Sequence, residues 1–258
     1  MKFLKNTLIP LAFWLAVWQL AAMAVGKDLL LPGPWTVART LAALVVTAAF
    51  WQTTALTLAR IFGGLLAGVV LGVLIAVLTC ASRWCDRLLS PLVRVIRATP
   101  VASFILLVLL WVYTGRVPGV IAALMVLPVV WGNVSRGIRE TDPSLLELAR
   151  AYRFGAGKTL TLVYIPSVAP YFTAGVETGL GLAWKAGVAA EVLCHPKLAI
   201  GTQVYFARIN LKTPDLFAWT LVIIIMSLLI ELAFGKLIDV AASHRMKTRK
   251  GESEKSEA

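Results

Sequence analysis

Residues 141–166 read TDPSLLELARAYRFGAGKTLTLVYIP, the only long charged stretch between hydrophobic spans of this chain. Asp142 or Ser144 can cap a short helix there, and Ile165-Pro166 opens the apolar run that follows. Acidic Glu147 and basic Arg150 and Arg153 then project from a lever tethered to membrane helices on both sides. An island of charge in an otherwise apolar chain has to lie outside the hydrocarbon, because charged side chains inside it are costly.

The composition demands a bilayer. Of 258 residues, 59% are hydrophobic and 15% charged, with a mean hydropathy of +0.82, whereas soluble domains carry about a quarter charged residues. Apolar runs predict six spans, at 8–25, 58–78, 101–113, 120–134, 167–193 and 217–238. The third is short unless extended back through the amphipathic stretch 88–96, and the fourth unless extended through Ser135-Arg136-Gly137. The first run ends in Ala22-Met23-Ala24 but is as long as a membrane helix needs and precedes further spans, so it is read as an uncleaved span. After the break at Leu31-Pro32-Gly33-Pro34, residues 35–50 read as an interfacial helix with Trp35 and Trp51 at headgroup depth. The expected fold is an all-α membrane protein with a transmembrane domain at 1–240 and a disordered, Ser/Glu/Lys-rich cytoplasmic tail at 241–258.

The net charge of +12 would suggest nucleic acid in a soluble protein, but here it sorts by loop. With both termini cytoplasmic, inner segments hold seventeen Lys and Arg and outer segments six, with Arg60 near an outer interface and Lys185 inside a span. That asymmetry selects the termini-inside orientation and puts Glu147 in the cytoplasm. Nucleic acid is not an expected partner; the lipid bilayer is.

Within the spans, Gly64, Gly68 and Gly72 recur every four residues and clear one helix face for close approach of another backbone. Pro100 and Pro128 mark places where helices bend. Glu177 falls about ten residues into the fifth span, ~15 Å deep, and Lys185 lies ~12 Å further along and ~80° around the same helix. Ionisable groups at such depth normally face a bundle interior or a water-filled cavity, which makes both candidates for lining a pathway; the structural alternative satisfies Glu177 on a neighbouring helix and lets Lys185 snorkel. Glu191, at the outer end, is read as interfacial. Three cysteines and two histidines show no metal spacing, and His195 and His244 fall on opposite membrane faces, so metal and nucleophilic catalysis find no support. Gly157-Lys158-Thr159 ends like a phosphate-binding loop but fails it: Tyr152 occupies the place of the first Gly, and a helical run replaces the required strand.

The 141–166 segment resembles the cytoplasmic coupling loop of permease subunits of bacterial ATP-driven importers, with Glu147, Ala149 and Arg150 in its Glu-Ala-Ala core and Ile165-Pro166 at the family's distance. Leu148 replaces the family's second residue, and Arg153 occupies the place of its Gly, with Gly155 a substitute for the turn. Pro170-Tyr171-Phe172, Gly181-Leu182-Ala183-Trp184, Ala190-Glu191 and Thr213-Pro214-Asp215 also look like the branch importing nitrate, taurine, aliphatic sulfonates, bicarbonate and thiamine precursors. The resemblance implies a non-enzymatic homodimeric permease in the bacterial plasma membrane. It further implies two copies of a cytoplasmic ATPase that bind ATP and Mg, no cofactor in this chain, and an extracytoplasmic substrate-binding protein. A secondary transporter or channel working without an ATPase is the alternative that Glu177 alone would allow.

Overall fold

The computed structural model describes the backbone of residues 2–256 and the side chains of 9–238, so the side chains of the tail expected at 241–258 lie outside those described. Among the described residues every regular element is helical: α1 (Lys2–Val25), α2 (Pro34–Val45), α3 (Ala48–Ala81), α4 (Arg83–Ala98), α5 (Val101–Leu109), α6 (Val117–Arg139), α7 (Pro143–Ala151), α8 (Ala156–Thr159), α9 (Ile165–Cys194), α10 (Ile200–Ile209) and α11 (Thr213–Ser256). One wide turn, Leu160–Tyr164, joins α8 to α9 in a continuous rod. Four stretches are long and apolar enough to cross a membrane: Ala48–Ala81, Val117–Arg139, Ala156–Cys194 and Thr213–Ile238. Ile9–Val25 is a shorter apolar helix, and α4 with α5 make a fifth crossing only as a bent pair.

That bent pair departs from the extended third span expected at 88–113. Thr99 precedes Pro100, whose ring disfavours helical backbone at the residue before it, and Thr99 is accordingly extended at φ −78°, ψ 131°. The chain turns by 106° there. α4 is strongly amphipathic, with Arg83, Arg87, Arg94 and Arg97 among apolar residues, and Arg97 in its last turn lines a cavity that Pro128 of α6 also borders.

The core lies between α3, α6 and α9, where Ile61, Leu65, Val126, Val130, Leu180 and Trp184 are buried together. Close approach of α3 and α6 rests on glycine. An ideal Cβ on Gly64 would stand 2.1 Å from the Gly119 carbonyl oxygen, one on Gly68 2.7 Å from that of Ala123, and one on Gly72 2.9 Å from that of Leu127. Without a driving force from water exclusion between spans, such backbone proximity is what membrane helices use to associate. Trp184 Nε1 donates to the Ile223 carbonyl at 3.1 Å and ties α9 to α11, while Phe50 stacks on Trp219 with centroids 5.3 Å apart.

Candidate functional site

The charged segment folds as α7, a loop and α8. Asp142 caps α7 by accepting from the Ser144 N–H at 2.8 Å, so one of the four orphan donors of the helix is satisfied as the sequence suggested. At the other end Phe154 N–H reaches the Ala149 carbonyl at 2.8 Å and Arg153 N–H that of Arg150 at 2.9 Å. This pair of bonds is the Schellman motif, whose C′ residue is left-handed. Arg153 is that residue, at φ 52°. Gly155, expected to take over the turn, is extended at φ −67°, ψ 162°, because the two bonds fix the left-handed position one residue beyond the cap and leave nothing for Gly155 to supply. Left-handed backbone costs a non-glycine residue about 1 kcal/mol, so Arg153→Gly is expected to raise the thermal midpoint of the detergent-purified chain, whereas Gly155→Ala should leave it unchanged.

Ala149 is buried, 3% exposed, whereas Glu147, Arg150 and Arg153 are exposed. Beside them Leu145, Leu148 and Tyr152 form an exposed apolar ridge at i, i+3 and i+7, with Leu148 54% and Tyr152 70% exposed. The sequence reading marked the charges of this helix and passed over the ridge. Its signal was available in the spacing of the two leucines and the tyrosine.

On α9 the positions 174, 177, 178, 182, 185 and 189 are exposed along one stripe, while 175, 176, 179, 180, 183, 184 and 186–188 are buried. Glu177 and Lys185 both lie on that open stripe, on different turns, and neither forms a salt bridge among the described residues. A third ionisable group joins them. Glu231 of α11, unremarked in the sequence, is exposed and brings Oε1 to 3.9 Å from where a Cβ on Gly181 would be. So the face of α9 that its own chain leaves uncovered is the one carrying charge, in a helix otherwise rich in Ala, Gly, Val and Leu.

Glu191 corrects the interfacial reading. It is fully buried, at 0% exposure. Its Oε2 accepts from Thr57 Oγ1 at 3.0 Å and from the Gly201 N–H at 3.1 Å. Arg60 Nη1 is 3.6 Å from Oε1 and donates to the Leu198 carbonyl at 3.0 Å, and its Nη2 donates to that of Lys197 at 2.8 Å. The Ile200 N–H donates to Thr57 Oγ1 at 3.0 Å. A carboxylate that hydropathy alone places at an interface is thus the hub joining α3, α9 and the start of α10, and Arg60, read as a surface cation, is its counter-charge.

Residues 68–245 match the family model described as the binding-protein-dependent transport system inner membrane component. The aliphatic sulfonates transport permease protein SsuC of Escherichia coli K12 is 30% identical over 247 residues, covering 92% of this chain and 90% of that protein. The taurine transport system permease protein TauC of the same organism is 26% identical, covering 85% and 82%, and the bicarbonate transport system permease protein CmpB of Synechococcus elongatus is 26% identical, covering 79% and 78%. A solved structure described as an amino acid ABC transporter with histidines superposes with a TM-score of 0.59 at 20% identity, covering 73% of this chain and 90% of that one, and shares the helical fold. The helical bundle with its charged segment between α6 and α9, matched over most of its length by transport permeases, therefore belongs to the family of inner membrane components of binding-protein-dependent transport systems, and its work is transport rather than catalysis.

Proposed function

We propose that this chain is the permease of an ATP-driven importer and moves a small anionic or zwitterionic solute inward by alternating access. It would work as a homodimer with six spans per copy and both termini cytoplasmic. Two copies of a cytoplasmic ATPase would bind the ATP and Mg, and an extracytoplasmic binding protein would deliver the solute. The observation that carries this reading is the uncovered, charged face of α9. Glu177, Lys185 and Glu231 cannot face lipid at mid-helix depth without a heavy cost. A second copy facing that stripe across a water-filled path removes it. Family membership sets aside transport without an ATPase, and the sulfonate, taurine and bicarbonate permeases among the relatives support a small oxyanion-bearing solute.

In this reading α7 transmits the stroke. Its Leu145–Leu148–Tyr152 ridge seats in the ATPase and Glu147 and Arg150 fix its register, while buried Ala149 holds it to the permease. A ligand-driven closure of the ATPase dimer then biases two states of the bundle through contacts made in only one of them.

The test is uptake by the complete transporter in proteoliposomes. Lys185→Met, which keeps the apolar stem, and Glu177→Gln are each expected to lower uptake at least about tenfold, the factor that 1.4 kcal/mol commands, with binding-protein affinity unchanged. Uptake kinetics equal to the parent in both variants would mean that neither charge lines the path. Separately, Glu147→Arg is expected to abolish uptake and solute-stimulated ATP hydrolysis while the chain remains inserted and dimeric; full activity at normal abundance would reduce α7 to a connector.

A further inference from the structure

Pro128 is the midpoint of α6 (Val117–Arg139), and there it borders a cavity of about 500 Å³ between α4, α6 and α9. Gly132, Asn133 and Arg136 of α6, Thr178 of α9 and Arg97 of α4 line it as well. Arg97 comes just before the 106° turn at Pro100. Arg97, exposed in the last turn of α4, lines this cavity together with Met125, Pro128 and Leu182. Among the described residues it forms no salt bridge. A guanidinium so placed needs water or an anion, and its planar fork is built to hold an oxyanion through two parallel hydrogen bonds.

The cavity continues inward. Gly132 and Arg136 also line a second chamber of about 360 Å³ with Arg94, Arg139, Asp86 and Ser135. Arg139 is held by Asp86 at 3.7 Å and Arg136 by Glu140 at 3.9 Å, so the inner chamber is partly neutralised. Ser135, 5% exposed, borders that chamber and has a buried Oγ without a hydrogen-bond partner. Outward, Leu182 of the first cavity lies three residues before Lys185. Cations therefore line both chambers, Arg97 and Arg136 in the first and Arg94, Arg136 and Arg139 in the second, with Lys185 further out on α9. The two chambers share Gly132 and Arg136 in their walls, and a Cβ added to Gly132 would meet nothing within 4 Å.

We propose that this cavity is the resting site of the solute inside the permease and that Arg97 binds its sulfonate or carboxylate head there. This names the solute-binding residue of the transport reading and rests on it. Volume and chemistry agree: about 500 Å³ lies within the range of small-ligand pockets. The mixed wall, with apolar Met125, Pro128 and Leu182 among Arg97, Asn133 and Thr178, suits a short alkyl chain ending in an oxyanion.

Two measurements test the site, and the first needs no transport. Gly132→Cys is introduced in a chain carrying Cys80→Ser, Cys85→Ser and Cys194→Ala, and its rates of modification by a sulfonate-bearing and a trimethylammonium-bearing methanethiosulfonate are compared in permeabilised membranes. The anionic reagent is expected to react faster, ethanesulfonate but not ethanolamine to slow it, and Arg97→Met to lower the anion-to-cation rate ratio about tenfold, as one partly screened unit charge at close range does. An unchanged ratio in Arg97→Met, or equal protection by ethanolamine, overturns the proposal. The second measurement is ethanesulfonate uptake by the reconstituted transporter, where Arg97→Met should raise KM at least tenfold and Arg97→Lys should restore part of it. Parental KM in Arg97→Met equally overturns the site. Failure of the native chain to drive uptake with any ATPase would instead remove the transport reading, and the modification ratios would still decide whether Arg97 makes an anion site.

Discussion

Gly64→Ala is expected to leave little folded permease, while Gly63→Ala, one residue away, is expected to be neutral or stabilising. The two glycines have the same sequence neighbourhood and differ only in the face of α3 they occupy. A Cβ on Gly64 would stand 2.1 Å from the Gly119 carbonyl oxygen and 2.9 Å from Ala122 Cβ, whereas one on Gly63 meets nothing within 4 Å. The atom in the way is backbone, so no rotamer change relieves the clash and the helices must separate by about 1 Å, enough to forfeit a large part of each dispersion well along the seam. Gly68 and Gly72 would lose their contacts with the same movement, which puts the cost at about 3 kcal/mol or more, the upper end for overpacked cores. On the open face alanine instead gains up to about 1 kcal/mol of helix propensity over glycine. Membrane abundance and the thermal midpoint in mild detergent measure both. Equal behaviour of the two variants would show that α3 and α6 do not approach through Gly64.

The period of four that singled out Gly64, Gly68 and Gly72 was legible because it depends on one helix alone, and so were α3, α9 and α11, whose apolar runs are long enough for a span, while α6 reached that length only with Ser135-Arg136-Gly137 added. What stayed hidden depended on a second element. Pro100 announced a break but not its angle of 106°, and only the packing shows Arg97 in the wall of a cavity shared with α6 and α9. α10 was missed because Ile200–Ile209 is too short for a span and too apolar for a loop. The turn after α7 was assigned to Gly155 by residue preference, yet the hydrogen bonds of the Schellman motif set its place and Arg153 accepts the strain. Glu177 and Lys185 could be placed on related azimuths by counting residues; that their stripe is left bare by every other helix of the chain, with Glu231 beside it, required the packing.

Glu191→Ala is expected to cost about 3–5 kcal/mol, the toll of breaking a buried ion pair from one side, and to free the outer segment from the bundle. Its carboxylate is the common acceptor for groups arriving from opposite ends of the sequence: Thr57 Oγ1, 134 residues earlier, and the Gly201 N–H, ten residues later. Alanine leaves both donors buried without an acceptor and strands Arg60, whose remaining bonds are to the Lys197 and Leu198 carbonyls. Nor can the loop relax onto the helix, since Gly201 is already so close that a Cβ there would stand 2.5 Å from Glu191 Cβ. Glu191→Gln retains an oxygen for Thr57 and Gly201 but loses the attraction to Arg60, so its cost should be about 1–3 kcal/mol, the range for one weakened charged hydrogen bond. The cycle of Glu191→Gln with Arg60→Met then isolates the ion pair, with a coupling of at least about 0.5 kcal/mol expected for groups in contact. Thermal unfolding of the purified chain reads the cost, and protease cleavage between α9 and α10 reads the release, which should rise in Glu191→Ala and much less in Glu191→Gln. A parental melting point in Glu191→Ala, with the α9–α10 connection still protected, would show that α10 is held by its apolar packing against α9 and α11 and that the buried carboxylate is dispensable to the fold.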